Sequence, residues 1–199
     1  MKTLVIVDLQ KDFYSKNGSL YVKGSELLPS RITNLIKKGI FDNVILTVDY
    51  HPYDHCSFNS EGGMWPIHCV AGSEGASIPS KIFDALYETR TPFYIFEKGN
   101  NPKEEEYGAF KDFSKYKNPI KYLFTNDKKN KKIFDVLIES DDIQVAGIAG
   151  DYCVLDTIKE MMSFIDREKI WFDLSYIKSI DDGTTLTKFA DDNKIYYQQ

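Results

Sequence analysis

Arginine is scarce in this 199-residue chain: only Arg31, Arg90 and Arg167 are present, against 30 acidic residues, and the formal net charge is −5. Binding to phosphate backbones draws on a clustered basic excess, so nucleic acid is excluded as a partner. Long hydrophobic runs are missing as well. No segment approaches the ~18–20 apolar residues of a membrane-spanning helix. The apolar start Leu4–Val7 is cut by Asp8, short of the ~7–15-residue core of a secretion signal. Cysteine is limited to Cys56, Cys69 and Cys153, with no Cys-x-x-Cys pair. At least one thiol stays unpaired, which points to a reducing compartment. With 42% hydrophobic and 28% charged residues, the composition is that of a globular protein. The expectation is a soluble, cytoplasmic protein with one domain over residues 1–199.

Short apolar runs alternate with helical patterns along the chain. Strands are expected at Thr3–Val7, Asn43–Val48, Phe93–Glu97, Ile143–Ala149, Lys169–Tyr176 and Ile195–Tyr197. Between them, Glu26–Lys38 places Leu27, Leu28, Ile32, Leu35 and Ile36 at helical spacing and stops at Gly39. Further helices are expected at Pro79–Tyr87, Asp127–Glu139, Asp151–Ile165 and Thr184–Asp192. Continuous apolar strands alternating with helices predict a three-layer α/β/α fold, doubly wound around a mostly parallel six-stranded sheet. The Lys-rich stretch Lys115–Lys132 reads as solvated surface, and Glu104-Glu105-Glu106 as an exposed charged loop.

In such a sheet, ligands bind beyond the carboxyl ends of the strands. Asp8, Asp49 and Lys98 end three of the expected strands, and Cys153 follows a fourth. One acidic stop is an ordinary solubilising end; four strands delivering Asp, Asp, Lys and Cys to one rim suggest chemistry. Cys153 falls in the first turn of the helix after Ala149, where helix amides favour a thiolate, so it is expected to ionise more readily than a free cysteine. Position alone equally allows an inert, buried thiol. Asp8 as base and Lys98 as cation would make it a nucleophile.

All three histidines lie in one stretch, His51, His55 and His68. Asp49 and His51 share a face of an extended strand end, since side chains alternate with a period of two. With His68 they form a candidate metal set suited to zinc, iron or manganese. The bland alternative is that each histidine satisfies loop backbone. A thiolate site using Cys56 and Cys69 lacks the short C-x2-4-C spacing of structural zinc. Phe13, Trp65 and Tyr107 flank these clusters and could wall a slot for a flat ring.

The sequence resembles the nicotinamidase (pyrazinamidase) branch of the isochorismatase-like cysteine hydrolases along nearly its whole length. The blocks that carry this are Val7-Asp8-Leu9-Gln10-Lys11-Asp12-Phe13, Asn17-Gly18-Ser19-Leu20, Val48-Asp49-Tyr50-His51-Pro52, Asp54-His55-Cys56-Ser57-Phe58, Trp65-Pro66-Ile67-His68-Cys69-Val70, Lys98-Gly99, Tyr107-Gly108-Ala109-Phe110 and Gly147–Val154.

The resemblance implies an Asp8–Lys98–Cys153 triad, one divalent metal ion on Asp49, His51 and His68 with zinc expected first, and ring contacts from Phe13 and Trp65. It leaves His55 open as a further ligand. It also implies a cis peptide between Ile148 and Ala149, an oxyanion hole from the Ala149 and Cys153 amides, and nicotinamide as substrate with pyrazinamide accepted. A homo-oligomer is compatible with it. The chain departs from commoner family residues at Tyr50 (Trp), Glu105-Glu106 (Asp-Ser), Gly108 (Ser) and Gly150 (Thr).

Overall fold

Burial in the computed structural model, which describes residues 1–111, 122–126 and 132–199, follows the strict alternation of the central strands. In β1 (Lys2–Val7), Val5 and Val7 face one hydrophobic cluster while Leu4 and Ile6 face another. β2 (Asn43–Asp49), β3 (Phe93–Lys98) and β5 (Asp142–Ile148) divide their side chains in the same way. Strands buried on both faces need helices on both faces, which their continuous apolar runs foretell.

One face is covered by α2 (Leu28–Lys37) and α3 (Ser80–Thr89), through Ile32, Leu35, Ile36, Ile82 and Leu86. The other is covered by α4 (Ile133–Ile138), α5 (Leu155–Met161) and α6 (Thr184–Asn193), through Val136, Leu137, Ile158, Met161 and Leu186. A single turn, α1 (Lys11–Tyr14), follows β1. Among the described residues no helix is long and apolar enough to cross a membrane.

The sheet order is β4-β3-β2-β1-β5-β6-β7, with β4 at Tyr122–Thr125, β6 at Ile170–Lys178 and β7 at Tyr196–Gln198. All six expected strands are present and parallel. The count of six needs one correction. A seventh strand, β4 (Tyr122–Thr125), pairs antiparallel with β3 at the edge. It falls inside the Lys-rich stretch expected to be plain surface, most of which lies outside the described residues. The expected helix Asp127–Glu139 is seen as Ile133–Ile138, its first part again lying outside them. The helix expected from Asp151 begins as α5 only at Leu155, after a wide turn over Gly150–Val154.

Chain order runs from central β1 outward through β2 and β3, then returns to β5 on the opposite side of β1. The crevice at this reversal lies beyond the carboxyl ends of β1 and β5, where such folds bind ligands. Asp8 and the Cys153 turn both emerge there.

Candidate active site

Asp8, Lys98 and Cys153, drawn from three separate elements, meet in a buried cluster. Lys98 Nζ lies 2.8 Å from Asp8 Oδ2 and 3.7 Å from Cys153 Sγ, and it also donates to Asp49 Oδ1. Asp8 and Lys98 are at most 1% exposed. Asp8 adopts a φ of 47°, and Thr47 Oγ1 donates to its Oδ1 at 2.7 Å. The Cys153 turn is closed by the Tyr152 and Val154 amides, which both donate to the Ala149 carbonyl. The Ile148–Ala149 peptide before it is cis.

Charge in this cluster is divided unequally. Burial opposes the Lys98 charge, but the carboxylates of Asp49 and Asp8 override it and hold the ammonium well above its ordinary pKa. Burial lifts the Asp8 carboxyl to about 6 against the pull of Lys98, with the Asp49 charge adding to the rise. Burial acts on Asp49 too, yet Lys98 and His51 outweigh it and keep that carboxyl well below the usual range. Cys153 corrects an expectation: burial pushes its thiol well above the ordinary value, and Lys98 only partly opposes this. The helix start does not prevail, because the sulfur is enclosed beside two carboxylates. The resting group is a thiol, and an adjacent base is needed to ionise it.

Asp49, His51 and His68 bring one ligand atom each to within 4.8 Å of one another. His51 Nδ1 donates to the Gly99 carbonyl at 2.9 Å and His68 Nδ1 to the Pro66 carbonyl at 2.8 Å. A carbonyl acceptor calls for the proton on Nδ1, so in the neutral ring the lone pair falls on Nε2, the arrangement that orients metal-binding imidazoles. His51 Nε2 lies 3.7 Å from Asp49 Oδ2. This donor set therefore fits a divalent cation. His55 is fully buried, but its Nδ1 accepts the Ser57 amide at 3.2 Å and it stands outside that trio. Cys56 and Cys69 are free thiols and join no such group among the described residues.

Cys153 and the candidate ligands Asp49, His51 and His68 line one cleft of about 400 Å³, with Asp8 and Lys98 buried behind them. Phe13 and Trp65 line it as expected, together with Tyr107, Tyr152 and Ile180. Trp65 Nε1 donates to the Tyr107 hydroxyl at 3.0 Å, and Tyr152 meets the Trp65 ring edge-on at 5.0 Å. Sequence reasoning missed Tyr152, Thr47 and Gln10 as site residues; only adjacency to Cys153 and Asp8 hinted at the first and last. It also misjudged the glutamate run. Glu105 is exposed at the cleft, but Glu106 is half-buried and its carboxylate accepts the Gly99 amide.

No family model matches the chain. The nicotinamidase of Escherichia coli is 30% identical over 181 residues, covering 81% of this chain and 76% of the relative. The structure of a protein from L. infantum in complex with nicotinate superimposes with a TM-score of 0.76 at 26% identity, over all of this chain and 92% of the other. The pyrazinamidase of Pyrococcus horikoshii in complex with zinc gives 0.73 at 22%, over all of this chain and 98% of the other. With 30% identity to the Escherichia coli relative over most of both sequences, the chain belongs to the nicotinamidase/pyrazinamidase family of hydrolases, which act on amide C–N bonds.

Proposed function

We propose that this protein hydrolyses nicotinamide to nicotinate and ammonia, and pyrazinamide likewise, through a thioester on Cys153. The observation that carries the reading is the convergence of Lys98 on Asp8 at 2.8 Å and on Cys153 at 3.7 Å, with Cys153 lining the same cleft as Asp49, His51 and His68. Asp8 takes the Cys153 proton, and a pKa near 6 suits a base working at neutral pH. The sulfur attacks the carboxamide carbon, and the oxygen that gains charge is met by the Ala149 and Cys153 amides. One such donor lowers the barrier by ~3–4 kcal/mol. Asp8 returns the proton to the departing ammonia. Water then cleaves the thioester, with Asp8 again removing its proton. Lys98 stays charged throughout and favours the ionised forms of both partners.

Asp49, His51 and His68 are the residues that would hold the divalent ion, with zinc favoured and iron or manganese compatible. Bound there, it would supply a Lewis-acid anchor for a ring nitrogen. Phe13 and Trp65 would hold the ring faces. Three unpaired thiols support a cytoplasmic setting, and a substrate of this kind suits salvage of pyridine nucleotides.

Ammonia release from nicotinamide, pyrazinamide and an aliphatic amide tests the reading. Turnover of the two aromatic amides is expected, lost on chelation and regained with zinc. The Cys153→Ala variant is expected to be inactive with its metal content intact; retained turnover in that variant overturns the nucleophile assignment.

A further inference from the structure

Glu106 belongs to neither the triad nor the candidate ligands, yet it reaches toward both. Lys98 closes β3, and Gly99 turns the chain at a φ of 68°. The Gly99 amide donates to Glu106 Oε2 at 2.9 Å. The Gly99 carbonyl accepts from His51 Nδ1 at 2.9 Å, while Lys98 Nζ donates to the Glu106 carbonyl at 3.3 Å. A side chain at Gly99 would overlap the His51 ring, so the turn and the imidazole are in direct contact.

Glycine leaves two soft dihedrals between the amide that Glu106 holds and the carbonyl that His51 uses. Nothing intrinsic to Gly99 keeps that carbonyl aimed at Nδ1. The direction is set by anchors on the neighbouring atoms, and the carboxylate of Glu106 is one of them, by a charge-assisted bond. We propose that Glu106 is a positioning residue: by holding the Gly99 amide it fixes the ring of His51 for metal binding and the stem of Lys98 for its place between Asp8 and Cys153. The proposal rests on the amidase reading for its catalytic half, whereas its metal half stands on the donor geometry alone.

The test compares the parent with Glu106→Ala and Glu106→Gln. Zinc affinity is read without substrate, by competition with a chromogenic chelator, and kcat and KM are read with nicotinamide. Outer-shell partners of metal-binding histidines typically matter by 10–100-fold. The alanine variant is expected to lose roughly that factor in zinc affinity and at least about tenfold in kcat. The glutamine variant keeps an acceptor for the Gly99 amide and is expected within about threefold of the parent. Glu106→Met, which keeps the stem and loses the acceptor, replaces the alanine variant if that chain does not fold. An alanine or methionine variant matching the parent in both readouts overturns the proposal, and so does a glutamine variant as impaired as alanine. A parent that binds zinc but releases no ammonia refutes the amidase reading and leaves the zinc comparison to decide the positioning of His51.

Discussion

The side-chain amide of Gln10 holds the backbone of Asp49 from both sides, accepting its N–H at 2.8 Å and donating to its carbonyl at 2.7 Å. A further bond from the same nitrogen reaches the Ala76 carbonyl at 3.1 Å. Gln10 is fully buried and lies just past β1, so it ties the carboxyl end of β1 to that of β2. Gln10→Leu would leave these backbone groups buried and unpaired, at a cost of about 2–4 kcal/mol in stability. Gln10→Glu keeps an acceptor but loses the donor. The expected order in zinc affinity is parent, then Glu, then Leu, measured by chelator competition; equal affinities would remove Gln10 from the support of Asp49.

Thr47 supports Asp8 in a comparable way. Its hydroxyl donates to Asp8 Oδ1, leaving Oδ2 for Lys98. Thr47→Val preserves shape and removes the bond. With a hydrogen bond to a charged group contributing about 1.5–3 kcal/mol, kcat is expected to fall at least about tenfold with metal content unchanged. Steady-state kinetics on the zinc-loaded variant decide this, and an unaltered kcat counts against it.

Much of this architecture is legible in the chain because it is written locally. Leu4–Val7 and Ile143–Ile148 announce buried strands by composition, and Asp8, Asp49, Lys98 and Cys153 stand where those strands stop. β4 is not legible, since a short edge strand within a Lys-rich stretch has no periodicity to set it apart. Neither are pairings between distant positions. Gly108 lacks a side chain where Glu160 places its carboxylate, and Gly150 lacks one where Ser179 places its hydroxyl. Each reads alone as a departure from the family, and only the fold shows that the space is filled from elsewhere. The acidity that the sequence predicts for Cys153 fails for a related reason. Its helix position is local information, whereas its burial beside Asp8 and Asp49 is not.

The ring slot gives a prediction that separates binding from chemistry. Tyr107 accepts the Trp65 indole N–H and also stands edge-on to Tyr152, at 5.4 Å between centroids. Tyr107→Phe keeps the ring contact and leaves the indole N–H unpaired. At about 1 kcal/mol per such bond, KM for nicotinamide is expected to rise about fivefold with kcat within about twofold. A fall in kcat with KM unchanged would place Tyr107 in the chemical step instead.

Glu160 makes the stability of the fold depend on pH. Its carboxylate accepts the Phe110 amide at 2.6 Å, and burial lifts its pKa from 4.5 to about 7 despite that bond. The folded protein thus holds this proton more tightly than the unfolded chain does. The resulting stabilisation is fully present below about pH 4.5 and is lost as pH rises through about 7. Glu160→Gln keeps an acceptor for Phe110 and carries no charge at any pH. The variant is therefore expected to match the parent near pH 4.5 and to exceed it above pH 8, by at most ~3 kcal/mol and less where water screens the carboxylate. Because the other titrating groups are common to both proteins, the difference between their Tm values across this range isolates Glu160. Parallel Tm curves would mean that the carboxylate is better solvated than its surroundings imply. A gap opening toward alkaline pH would instead establish that the Tyr107–Phe110 segment is anchored to α5 at the cost of one poorly hydrated charge.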